Sequence, residues 1–206
     1  KKKKGGHGND ASRIGKTIVP MRFEIICYEC EYVFVLTGHI HETMCPRCHH
    51  MLTVSNKTIH GEWSGTDKTI GSIEIAEDAV LKNTTLIGGD IIIAGDARDA
   101  DIRATRKLEL RSKAQFDMTR IIAKDLLIGN GSRFSLARPL NCRNLDVQGE
   151  LKATISASGA VFIRNSGFFR GELHCRSLVI EEGGRMKAKT VLGSFTGTNE
   201  EQTLMI

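Results

Sequence analysis

A chain of 206 residues, 40% of them apolar, can bury a sizeable core, which excludes disorder throughout. Its uncharged apolar runs, such as residues 91–95, stop far short of the roughly 18–20 residues of a membrane helix. With 21 glycines, 3 prolines, few aromatics and a net charge of +5, the composition favours strands and tight turns over helical bundles.

That charge is concentrated at the start. Residues 1–22 hold Lys1, Lys2, Lys3, Lys4, Arg13, Lys16 and Arg22 against Asp10 alone, so the remainder is close to neutral. Such an arm is attracted to any polyanion, anionic membrane surface and nucleic acid alike; it equally fits a solvated tail with no fixed partner. No apolar segment follows the lysines, so a cytoplasmic, non-secreted protein is expected, membrane association being one use of the arm.

Residues 23–56 contain two C-x-x-C pairs, Cys27/Cys30 and Cys45/Cys48, separated by fourteen residues. Two residues between thiolates let a tight knuckle turn both sulfurs toward one ion, and two facing knuckles complete a tetrahedral Zn²⁺ shell. The segment resembles a zinc ribbon, with one structural Zn²⁺ as the expected cofactor. Disulfides would require an exported protein, and a thioredoxin-like pair would require a βαβ context. Four thiolates close the shell, so zinc catalysis is not expected, and His39, His41, His49 and His50 are read as exposed loop residues.

Residues 57–69 are a linker or a first capping coil, and beyond them the sequence repeats. Apolar residues hold both outer positions of each triplet Ile73-Glu74-Ile75, Ile91-Ile92-Ile93, Leu108-Glu109-Leu110, Leu126-Leu127-Ile128, Leu145-Asp146-Val147, Val161-Phe162-Ile163 and Leu178-Val179-Ile180. Their starts lie 18, 17, 18, 19, 16 and 17 residues apart. Six residues after each triplet a second column holds Leu81, Phe116, Phe134, Phe169 and Met186; Asp99 breaks it, and Leu151 fills it in the shortened fifth copy. A third ladder, twelve residues on, includes Ile87, Ile122, Leu140, Cys175 and Leu192. Three apolar columns per repeat, with turn residues such as Gly129-Asn130-Gly131-Ser132 between them, describe a triangular parallel β-solenoid of about seven rungs. Cys142 and Cys175 are expected to be buried ladder or corner residues without redox work.

The last rung ends at Thr190-Val191-Leu192, and residues 193–206 read as a tail. A terminal coil exposes unpaired backbone and half-covered apolar ladders, and no cap is evident in the sequence. The ends are therefore expected to join copies of the chain, with Val191, Leu192 and Phe195 as the C-terminal contact and the three side faces left free.

The words of the repeat add a resemblance. Leu178-Val179-Ile180-Glu181-Glu182-Gly183-Gly184-Arg185-Met186-Lys187-Ala188, Gly149-Glu150-Leu151-Lys152-Ala153, Gly171-Glu172-Leu173 and Leu86-Ile87-Gly88-Gly89-Asp90-Ile91 look like rungs of the bactofilins, polymer-forming bacterial cytoskeletal proteins. Over residues 70–192 the resemblance implies a right-handed parallel β-helix that assembles end to end into filaments without nucleotide. It also implies a cytoplasmic scaffold, often at the membrane. The ribbon and the basic arm depart from the usual pattern.

Two other functions are weighed against this scaffold. A zinc-ribbon nucleic-acid binder multimerised by the solenoid is suggested by Tyr28, Tyr32 and Phe34 beside Arg47. A hexapeptide-repeat acyltransferase would share the period, but only His174 lies within the repeats as a candidate base and no catalytic constellation is found, so no enzyme is expected.

Overall fold

The protein is described here as a computed structural model covering residues 22–37 and 42–193. Lys1, Lys2, Lys3, Lys4, Arg13, Lys16, His39, His41 and Phe195 lie outside the described residues, and of Arg22 only the backbone is described. Among the described residues no helix is long and apolar enough to cross a membrane, and the only helical element is the short 3-10 turn Met118–Arg120.

From Lys57 to Leu192 the chain winds as a parallel β-solenoid of stacked coils. The first side of each coil is a triplet in register with the triplets above and below: residues 57–59, 73–75, 91–93, 108–110, 126–128, 145–147, 161–163 and 178–180. That is one coil more than the sevenfold repeat. The first triplet escapes a search for apolar pairs because Lys57 stands at the position that Ile73 fills one coil on.

Alternation decides which side chains enter the core. Ile73, Ile75, Ile91, Ile93, Leu108, Leu110, Leu145, Val147, Val161 and Ile163 are fully buried. The second column runs Trp63, Leu81, Ala97, Phe116, Phe134, Leu151, Phe169 and Met186, packed on the same core. Ala97, not Asp99, occupies the place where the column falters, because that corner is two residues shorter than its neighbours.

The third side corrects two members of its ladder. Ile87 and Ile122 are in register with Arg103 and point outward, while Leu86, Ile102, Ile121, Leu140, Ile155 and Leu173 point inward. Coils of unequal length make a fixed twelve-residue offset slip by one, and in a strand a one-residue slip reverses the face. Cys142 and Cys175 follow in the same side, buried in register with Ala157. Burial pushes the Cys142 thiol up to about 12, leaving it a packing residue.

Close stacking also selects glycine at one corner. Gly171 has φ +130°, and a Cβ there would meet the Ala153 carbonyl oxygen of the preceding coil at 2.1 Å. Outside the core, ion pairs tie neighbouring coils together: Arg106 with Asp90, Arg143 with Asp125, and Arg164 with both Asp146 and Glu181.

Candidate metal centre and assembly ends

Ahead of the solenoid lie two antiparallel hairpins, Arg22–Ile26 with Val33–Thr37 and Glu42–Met44 with Met51–Thr53. Each carries a C-x-x-C turn at its tip, built the same way. The N–H of Glu31 donates to the Cys27 carbonyl and the N–H of His49 to the Cys45 carbonyl, each at 2.9 Å. Glu31 and His49, directly after the second cysteine of each pair, take the left-handed conformation that closes the turn, with φ of 57° and 58°.

The four sulfurs of Cys27, Cys30, Cys45 and Cys48 lie within 4.8 Å of one another. Two of the separations are 3.8 Å (Cys27 to Cys48) and 3.6 Å (Cys30 to Cys45). A tetrahedral ion with metal–sulfur bonds near 2.3 Å places its sulfurs about 3.8 Å apart, so the donor set has the geometry of a closed metal shell. Burial works against ionisation of Cys45, but hydrogen bonds from the backbone N–H groups of Cys48 and Arg47 and from the Cys48 and Cys30 thiols together draw this thiol down to about 7. His49 and His50 are exposed, and the His50 ring lies edge-on to Tyr28 with its Nε2 3.8 Å from Glu29.

Knuckle residues also hold the ribbon against the solenoid. Tyr28 and Leu52 are buried with Ile70, and Ile87, the outward residue of the third side, packs on this cluster. Ile70 donates its N–H to the Thr53 carbonyl at 2.9 Å. Lys68 Nζ donates to Glu29 at 2.8 Å and Arg103 to Glu31 at 2.5 Å. One side face of the solenoid is therefore partly covered, where the sequence reading left all three free. Tyr28 is unavailable for stacking on a base, while Tyr32 remains 40% exposed beside a half-buried Phe34.

The two ends of the solenoid differ in chemistry. At the C-terminal end Ile180 and Leu192 are 44% and 59% exposed, although Ile163 and Cys175, in register with them one coil earlier, are buried. Val179 and Val191, at outward positions in register with Phe162 and His174, are exposed beside them, and among the described residues nothing covers this apolar edge. Sequence reasoning missed Ile180, whose exposure follows from its place in the last triplet.

At the N-terminal end the inward positions of Ile73 and Leu86 are taken by Lys57 and Asp67. They pair at 2.5 and 2.7 Å and close that end with charge. Among the described residues, then, an uncovered apolar surface is seen at one end only, where the sequence predicts it at both. Charged residues read as surface residues until the register places these two over the core.

Residues 122–191 match the family model of the bactofilins, described as polymer-forming cytoskeletal. No curated protein and no solved structure matches the chain. The match covers about a third of the chain and falls on the later coils, up to the open end. It supports a polymer-forming cytoskeletal character for this part. In this bactofilin-like segment His174 is exposed on its strand, in register with Ser156 and Val191.

Proposed function

We propose that the chain is a self-associating cytoskeletal scaffold that forms nucleotide-independent filaments and holds partners at the membrane or cell envelope. The observation that carries this reading is the open C-terminal coil: Ile180 and Leu192 stand at positions that are buried in the preceding coils and are exposed in the last one, along a strand edge that no described residue pairs. Covering Ile180, Val191 and Leu192 with a second copy gains on the order of 1 kcal/mol per side chain, besides backbone pairing. The bactofilin match over the adjoining coils points the same way.

An apolar end has no matching surface on an end closed by Lys57 and Asp67, so like ends join. Paired chains form first, through the salt-resistant apolar contact. Filaments then extend through the polar N-terminal ends, in a contact that weakens as ionic strength rises. Phe195, two residues beyond the last described residue, belongs to the C-terminal contact in this reading.

The cysteine cluster binds one Zn²⁺, which folds residues 23–56, too few to build a core alone. The basic arm, Lys1, Lys2, Lys3, Lys4, Arg13, Lys16 and Arg22, supplies a first attachment to polyanions. Negative-stain microscopy and sedimentation of the purified chain, with and without added nucleotide, test the proposal. Assemblies of equal length in both samples support it; a chain that remains single at high concentration overturns it.

A further inference from the structure

We propose that the side face of the last three coils binds an anionic lipid bilayer. Lys152, Arg170 and Lys187 stand in one register column, and Arg185 lies two residues before Lys187 on the same strand face. All four are exposed, and none of them is in an ion pair with a described residue. On earlier coils the cations of this face are neutralised: Lys82 by Glu62, Arg98 by Asp96 and Arg133 by Glu150. The acids stop there, because the positions in register beyond Glu150 are Phe168 and Arg185.

Three like charges at a strand spacing of about 4.8 Å, with a fourth two residues along the last strand, repel one another, and an anionic surface relieves that repulsion. Phe168 orients two of them, with the guanidinium carbons of Arg170 and Arg185 at 5.2 and 5.0 Å from its ring centroid. A ring occupied by two cations is not a free platform for a nucleic-acid base. A level strand surface bearing long cationic stems matches a planar array of headgroup charges better than a grooved polymer. In this pose the solenoid axis lies along the bilayer and both ends stay clear for self-association. The inference deepens the scaffold reading by naming the attaching face, and it rests on that reading only for this geometry.

The test is co-sedimentation of the full chain with phosphatidylcholine vesicles that contain about one-third phosphatidylserine, against pure phosphatidylcholine vesicles. The variant K152Q/R170Q/R185Q/K187Q is expected to lose tenfold or more in affinity for the anionic vesicles. The variant K107Q/K113Q/K124Q/R143Q removes the same charge elsewhere and is expected to stay within about twofold of the parent. Circular dichroism melting confirms that both variants remain folded. Equal losses in the two variants, an unchanged first variant, or a loss confined to pelleting with duplex DNA would each overturn the proposal. Self-association is read separately, by lipid-free sedimentation, so a failure of the scaffold reading is not confused with a failure of vesicle binding.

Discussion

Lys57 and Asp67 form an ion pair across the first coil, at the two positions that Ile73 and Leu86 fill with apolar side chains one coil later. The pair gives the solenoid a charged beginning and leaves its end apolar. The side chains are 37% and 20% exposed, so solvent screens part of the attraction.

Removing one partner strands the other over the core. Asp67→Ala is expected to destabilise the solenoid by about 1–2 kcal/mol, less than a fully buried pair would cost. The double variant K57I/D67L is expected to recover that stability while making the N-terminal end apolar. Denaturant melts measure the first effect; sedimentation at high salt measures the second, where the double variant is expected to form longer assemblies than the parent.

Metal removal acts first on the ribbon. Tyr28, Glu29 and Glu31 lie within or next to the first knuckle and contact the solenoid through Ile70, Lys68 and Arg103, so loss of the ion loosens the docked face as well. Treatment with a strong chelator, or Cys45→Ser, is expected to expose residues 22–56 to protease while residues 57–193 stay resistant. Mass spectrometry of the intact chain before treatment is expected to find one Zn²⁺ per chain.

Acid weakens the ion-pair lattice outside the core. Hydrogen bonds from Arg120 hold the Asp99 and Asp101 carboxyls below their usual range, and Arg164 does the same for Glu181. A carboxylate lowered in the folded state adds stability above its unfolded value and loses it as pH falls through the folded one. Melting temperature is therefore expected to be level from neutral pH down to about 4.5 and to decline below it, more steeply at low salt. Because these carboxyls are exposed, the decline is expected to be shallow. A melting temperature that rises on acidification would contradict this lattice.

The solenoid was legible because its core repeats: an aliphatic pair every 16 to 19 residues survives variation in coil length. The cysteine pairs were legible for a similar reason, since metal geometry fixes their local spacing. What escaped depends on counting from a neighbour. Ile87 and Ile122 sat one residue from the inward position, because a column reached through a corner of varying length loses its parity. Lys57 and Asp67 broke the apolar pattern that defines a coil, so the first coil hid behind its own cap. The docking of the ribbon on Ile70 and Ile87 is a contact between segments with no shared period, and nothing in the local sequence announces it.

The most direct measurement on the central claim is sedimentation velocity of the parent chain and of Leu192→Arg across a range of concentrations at high salt. An open apolar last coil predicts a parent that shifts to paired or longer species as concentration rises. The variant, with a charge on that edge, is predicted to remain a folded single chain, and Phe195→Arg is predicted to weaken the same contact. Identical self-association by the parent and both variants would contradict the account and place the contact elsewhere on the molecule.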